Sequence, residues 1–153
     1  MLTPGSPAPD FALPDQDGRT VTLDQLLTHG PLVLYFYPVD DTPGCTREAC
    51  FVRDLHSELL AAGLSVAGVS PQDSTSHRRF ADKYALPFPL LADSGKTLAR
   101  AYGVLAPFGL GVRRATFLIS PQRQILDTVR ADFRIGRHED FIRRALQARP
   151  PSN

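Results

Sequence analysis

The chain has two cysteines, Cys45 and Cys50, and the residues ahead of the first are those that open a helix. In Pro38-Val39-Asp40-Asp41-Thr42-Pro43-Gly44-Cys45, Thr42 suits the N-cap, Pro43 the first helical position, Gly44 the second and Cys45 the third. The first turn of a helix carries N–H groups without intrahelical partners and the positive end of the helix dipole, so an anion is favoured there. A free cysteine, with a reference pKa of about 8.5, is mainly thiol at neutral pH, and the thiolate is the nucleophile. The position of Cys45 therefore favours the reactive form. Thr42 stands three residues earlier, a spacing at which one hydroxyl accepts from a helix N–H and donates to the sulfur or to an oxygen bound beside it. Against this stands a packing role, with Thr42 only a cap and Cys45 a small buried apolar residue, because free cysteine is among the most buried side chains. The local pattern alone leaves both readings open.

A strand must deliver these residues and a helix must hold them. Leu32 to Tyr37, LVLYFY, is a continuous aliphatic and aromatic run, as a strand buried on both faces should be. After the loop, apolar Ala49, Val52, Leu55, Leu59 and Leu60 recur near spacings of three and four, and Gly63 closes that helix. Upstream, PDFALPDQDGRTVTLDQL predicts a hairpin turning at Asp-Gly, followed by the first turn of a helix. Downstream, LSVAGVS predicts a second buried strand, STSHRRFADKYA a helix started by Asp73 or Ser74, and FPLLAD a third strand. SGKTLARAYGV reads as a helix ending at Gly103, ATFLIS and QILDTVR as a hairpin turning at PQRQ, and HEDFIRRALQA as a closing amphipathic helix. This order predicts an α/β protein, with a central mixed β-sheet flanked by helices on both faces and an N-terminal β-hairpin extension. The 153 residues fit one domain, 1–153, of which about 150–153 is read as a disordered tail.

Apolar residues make up 42% and charged residues 22%, which excludes a disordered chain. A net charge of +1, from 17 basic and 16 acidic side chains, supplies no field to draw in nucleic acid or an anionic membrane. Arg113, Arg114, Arg143 and Arg144 cluster only briefly and read as a solvated face. The longest uncharged apolar stretch, Leu32 to Val39, is far shorter than the roughly 20 residues a membrane span needs. The opening MLTPGSPAPDF has neither the basic nor the apolar region of a secretory signal, so cytoplasmic residence is expected. A structural disulfide would be reduced in that compartment, which leaves the cysteines inert or chemically active. The C-x4-C pair and the singly scattered His29, His56, His77 and His138 show none of the paired spacings zinc sites use. No metal or other cofactor is expected, and each histidine reads as a surface residue.

PVDDTPGC contains the order P-x-x-x-T-x-x-C, as Pro38, Thr42 and Cys45, and continues into PGCTREAC. In these strings the chain resembles the peroxiredoxins, and within them the Q-type, bacterioferritin-comigratory branch. The likeness runs over nearly the whole chain: APDFALPDQDGRTVTL resembles the opening hairpin, LVLYFYP the strand into the site, GLSVAGVSPQDSTSHRRFADKYALPFPLLAD the middle and RRATFLI a later strand. The resemblance implies a thioredoxin-like fold and a thiol-dependent peroxidase acting on hydrogen peroxide and organic hydroperoxides. It implies that Cys45 is the peroxidatic cysteine, that Thr42 hydrogen-bonds sulfur and peroxide, that Pro38 shields the thiolate from water, and that Arg114 aims its guanidinium at the sulfur. Attack on a peroxide builds negative charge on the leaving oxygen, which a fixed cation and backbone donors stabilise. Arg113 is the rival for that role, but neighbours on a strand point to opposite faces, so only one faces the site. Gly44 and Glu48 are supporting residues, Glu48 being either an acid that orients Arg114 or an exposed helix side chain. Asp40 and Asp41 oppose a thiolate and are expected to point away or to pair with Arg.

The same resemblance makes Cys50 the resolving cysteine. In one regular helix the two cysteines differ by about 7.5 Å of rise and their Cα atoms lie roughly 8 to 9 Å apart, beyond the limit of about 7 Å for a disulfide. An intramolecular bridge therefore requires the first helical turns to unwind once Cys45 is a sulfenic acid. Re-reduction by thioredoxin or a glutaredoxin-type dithiol is implied, as is a monomer, with a weak dimer the alternative. The segment VLAPFGLGV is shorter and more apolar than the branch's Lys-rich stretch before its Arg strand, and two readings of it stay open. Phe108 and Leu110 line a pocket for bulky organic hydroperoxides, or they form a small contact between copies. Two rival functions remain, a thiol–disulfide oxidoreductase, which would be expected to carry C-x-x-C, and a non-catalytic redox-sensing module.

Overall fold

Every residue of β3, Leu32–Phe36, is buried, and the pleat sends alternate side chains into two different apolar layers. Leu32, Leu34 and Phe36 pack on one face with Leu23, Leu98, Ala99 and Tyr102. Val33, Tyr35 and then Tyr37 pack on the other with Cys45, Ala49, Val52, Phe80 and Phe141. A strand between two helical layers has no polar face, which is why its sequence shows no alternation. This is a computed structural model, and it describes residues 1–148; the tail expected at 150–153 lies outside them.

Around β3 the sheet continues on one side with β4, Ser65–Ser70, and β5, Leu90–Ala92, both parallel. On the other side run β6, Ala115–Ile119, antiparallel to β3, and β7, Ile125–Arg130, antiparallel to β6. The order is β5-β4-β3-β6-β7, the mixed sheet the sequence predicts. The N-terminal hairpin is a separate two-stranded sheet, β1, Ala12–Pro14, with β2, Thr20–Thr22. The Asp15 carboxylate accepts from the N–H groups of Asp17 and Arg19, and Gly18 takes the φ of +76° that closes the turn. Helix α1, Leu23–Leu26, follows at once under a capping box between Thr22 and Gln25.

Helix α2 runs unbroken from Pro43 to Ala61, with Gly63 at φ +78° just past its end. Its buried stripe is Cys45, Glu48, Ala49, Val52 and Leu59, whereas Leu60, expected in the core, is 54% exposed because it lies off that stripe. Helix α3, Ser74–Tyr84, is capped by Asp73, whose side chain accepts from Ser76 N–H. Helix α4 is Thr97–Ala101, and α5, Ile135–Gln147, begins three residues earlier than the sequence predicts. That early start places Ile135, His138, Phe141, Ile142 and Ala145 on one buried face. His77 and His138 are both wholly buried, against the expectation of surface histidines, while His29 is exposed and His56 half-buried. Each buried ring has both nitrogens within hydrogen-bond reach of a partner, and that satisfaction makes burial of the polar ring tolerable. No helix among the described residues is long and apolar enough to cross a membrane.

Candidate active site

The loop between β3 and α2 is pinned to its neighbours before it reaches Cys45. Asp40 accepts from Tyr37 Oη at 2.6 Å, Ser76 Oγ at 2.7 Å and His77 Nδ1 at 2.7 Å. Its burial works against the charge, yet these donors outweigh that penalty and hold the carboxyl below the usual range. Gln72 bridges the same loop, taking a bond from Asp40 N–H and giving one to the Pro38 carbonyl, each at 3.0 Å. Asp41, at φ +59°, accepts from Lys83 Nζ and Tyr84 Oη, both at 2.8 Å. Both acids thus turn away from the sulfur as expected, but their partners are tyrosine, serine, histidine and lysine rather than arginine. The cause is topological, since α3 packs beside the loop and presents Ser76, His77, Lys83 and Tyr84 to it, while Tyr37 comes from just past the end of β3.

Cys45 lies in the first turn of α2 and is 1% exposed. Arg114, at the residue before β6, donates from Nη2 to Cys45 Sγ at 3.0 Å and from Nη1 to Glu48 Oε1 at 2.7 Å. One guanidinium therefore spans a sulfur and a carboxyl that lie one helical turn apart. Burial works against the Arg114 charge, but Glu48 and Cys45 more than offset it and raise its affinity for the proton. Arg113 faces elsewhere, half-buried at the mouth of the site, so of the two neighbours it is Arg114 that reaches the sulfur. Glu48 is buried, and desolvation pushes its carboxyl up to about 7 against the pull of Arg114. Gly44 is the residue that lets the guanidinium in: a Cβ there would stand 3.2 Å from Arg114 Nη2.

Thr42 occupies the N-cap position in extended conformation, yet its side chain makes no cap. Its hydroxyl donates instead to the Val39 carbonyl at 2.9 Å, which corrects the expected bond to the helix amides. Pro38 is half-buried and lines a cavity of about 390 Å³ together with Ala106, Pro107, Val112, Arg113, Arg114, Asp132 and Phe133. Phe108 and Leu110 are not among those walls, being 97% and 81% exposed; of the apolar residues that are, Val112 is buried whereas Phe133 stands at the rim, 96% exposed. Cys50 is a half-buried thiol in the same helix as Cys45, so no bridge joins them in this conformation. Sequence reasoning missed Phe133, Thr116 and His138. A polar residue inside the apolar stripe of α5 was the available signal for His138, and the late start assigned to that helix hid it.

With this geometry in view, residues 4–128 match the AhpC/TSA family. The chain is 39% identical over 145 residues to the chloroplastic peroxiredoxin Q of Populus jackii, covering 94% of this chain and 68% of that protein. It is 45% identical over 124 residues to a putative peroxiredoxin bcp of Coxiella burnetii, covering 77% of this chain and 82% of the relative. Among solved structures, the peroxidoxin BcpB of Mycobacterium tuberculosis superposes with a TM-score of 0.90 at 38% identity, over 97% of this chain and 98% of that one. The bacterioferritin comigratory protein of Xanthomonas campestris, studied for its alkyl peroxide reduction activity, gives 0.82 at 36% identity over 90% of each chain. Those likenesses join the thiol, guanidinium and mixed sheet described above, and the chain belongs to the AhpC/TSA family, in its peroxiredoxin Q branch.

Proposed function

We propose that Cys45 is the peroxidatic cysteine of a thiol-dependent peroxidase and that Cys50 resolves it. The observation that carries this reading is the 3.0 Å contact from Arg114 Nη2 to Cys45 Sγ inside a buried site at a helix N-terminus. A hydrogen bond from a cation favours the thiolate over the thiol, and the open amides of the first turn add to it. The thiolate attacks the nearer oxygen of a hydroperoxide, the O–O bond breaks, sulfur is oxidised by two electrons to sulfenic acid, and the departing oxygen leaves as water or alcohol once protonated. Arg114 is placed for the charge that grows on that oxygen. Thr42 offers its hydroxyl oxygen as an acceptor for the hydroperoxide O–H, its own hydrogen being directed at Val39, and Pro38 keeps bulk water from the sulfur.

Resolution then needs α2 to open. The Cys50 thiol attacks the sulfenic sulfur, releasing water and forming the disulfide. Opening must part Glu48 from Arg114, and Arg47 from Glu139, to which it is held by two bonds of 3.0 and 2.9 Å. A dithiol reductant, thioredoxin or a glutaredoxin-type protein, returns both cysteines to thiols, a cycle that fits a reducing compartment such as the cytoplasm. The cavity beside Arg114, walled by Pro38, Val112 and Phe133, suits alkyl hydroperoxides as well as hydrogen peroxide. We assign the monomer as the working state.

Steady-state NADPH oxidation with thioredoxin, thioredoxin reductase and peroxide tests this. Cys45→Ser is expected to abolish turnover, and Cys50→Ser to complete one turnover and then stall. Continued cycling by Cys45→Ser, or an intermolecular disulfide as the sole product of one equivalent of peroxide, would refute the assignment.

A further inference from the structure

Behind Arg114 lies a group for which the scheme above has no use. Glu48 Oε1 takes the bond from Arg114, but Oε2 is buried and has no hydrogen-bond partner among the described residues. The group aimed at it is His138 Nδ1, 3.7 Å away on α5 and itself fully buried. The ring is held at both nitrogens. Nε2 lies 2.9 Å from the Ala131 carbonyl, which only accepts, so Nε2 carries a hydrogen. Nδ1 lies 2.9 Å from Thr116 Oγ1, a hydroxyl that donates to it or accepts from it. With a neutral ring and an ionised Glu48, two lone pairs face each other in the interior with no proton between them. A single proton removes that conflict, on Oε2 or on Nδ1, and Thr116 turns its hydroxyl to suit.

The arrangement bears on Cys45 because Arg114 is a buried cation in contact with both sulfur and carboxyl. A buried charge requires a partner of opposite sign throughout the cycle. While Cys45 is a thiolate, a protonated Glu48 leaves the guanidinium to the sulfur. Once sulfur is an uncharged sulfenic acid, Arg114 needs the Glu48 carboxylate, and the displaced proton must go to a group in reach. We propose that His138 is a positioning residue for the peroxidatic sulfur, exchanging one proton with Glu48 so that Arg114 keeps a single anionic partner as Cys45 gains and loses its charge. This rests on the reading of Cys45 as the reacting thiol. The proton moves from Glu48 Oε2 to His138 Nδ1 and back, so the net charge of the pair stays constant.

The other groups facing this pair are few. Glu48 has Arg114, the more distant Glu139, the hydroxyl of Tyr35 on β3, which has no hydrogen-bond partner among the described residues, and Cys45, which shares Arg114 with it. Burial is the strongest influence on His138 and works against its protonation, as do Arg114 and Arg137, while the bond to the Ala131 carbonyl and the nearby Asp132 favour it.

Nitrogen-detected NMR of the His138 side chain tests the proposal on the folded chain. In the reduced protein at neutral pH, Nε2 is expected to carry the hydrogen. In Cys45→Ser, where position 45 is uncharged, Nδ1 protonation should persist to higher pH, by about one unit or more, a tenfold change in proton affinity. Glu48→Gln should abolish that difference. In parallel, mass spectrometry following Cys45 alkylation by iodoacetamide against pH should show the profile of His138→Phe displaced toward lower pH, since a phenyl ring cannot stabilise the ionised Glu48. Thr116→Val, which keeps the ring, should displace it less. A His138 signal that ignores Cys45→Ser, or a His138→Phe profile that overlays the wild type in a folded protein, overturns the proposal. Alkylation needs no peroxide, so failure of the peroxidase reading shows separately, as absence of peroxide consumption by the wild type.

Discussion

Replacing Glu48 with glutamine changes how stability responds to pH, and the size of that change follows from the burial of one carboxyl. Glu48 is 1% exposed and its folded pKa is lifted from 4.5 to about 7, with desolvation the largest cause. Across that interval the unfolded chain has released the proton while the folded chain retains it. Unfolding is then favoured as pH rises, because the folded state binds the extra proton. The stability that belongs to the protonated carboxyl is fully present below pH 4.5 and is lost as pH climbs through about 7. At 1.36 kcal/mol per pH unit, the interval amounts to about 3 kcal/mol. Glutamine has no such titration and still offers Arg114 an acceptor oxygen. Urea denaturation under reducing conditions at pH 4.5, 6, 7 and 8 should therefore show wild type losing about 3 kcal/mol relative to Glu48→Gln between the two ends. Groups that do not contact position 48 cancel in that difference. A difference that stays flat with pH would refute the argument, since it would mean that Glu48 is ionised in the folded state at every pH tested.

Gly44→Ala is expected to separate stability from activity. The new Cβ, 3.2 Å from Arg114 Nη2, displaces the guanidinium by a few tenths of an ångström and lowers the second-order rate with hydrogen peroxide by about tenfold. Thermal denaturation should meanwhile show no loss, because alanine favours a helix over glycine by up to about 1 kcal/mol. Val112→Ala, which cuts back the buried apolar wall of the cavity, should lower kcat/KM for cumene hydroperoxide by about tenfold and leave that for hydrogen peroxide unchanged, with Phe108→Ala, exposed and off the cavity, as the silent control. Asp40→Ala removes the acceptor shared by Tyr37, Ser76 and His77 and should destabilise the fold by about 3 kcal/mol in urea. Because the Asp40 carboxyl is held low, the stability it supplies is present above the ordinary aspartate range and lost as pH falls through its folded value; the variant should therefore show a shallower loss of stability in acid.

What could be read without coordinates was whatever local order determines. LVLYFY announces a strand with no wet face, Thr42 and Pro43 mark where a helix must begin, and the turn at Gly18 follows from its neighbours, because each depends on backbone preferences within a few residues. The placement of Cys45 in a first helical turn belongs to that class, and so does the choice of Arg114 over Arg113 once strand alternation is combined with the family pattern. The charge states and the walls of the site are of another kind. Glu48 is an ordinary helical glutamate in the string PGCTREAC; it becomes a buried acid titrating near neutrality only because β6 brings Arg114, and α5 brings His138, to the same depth. His77 and His138 looked like surface residues because nothing next to them in the chain supplies their hydrogen bonds; Asp40, Leu91, Thr116 and Ala131 do, from other elements or across a loop. Phe108 reads as a pocket residue for the same reason, since hydrophobicity can be read from a single residue whereas a cavity exists only between segments. Desolvation and pairing are properties of neighbours in space, and the chain order fixes those neighbours only after the sheet has assembled.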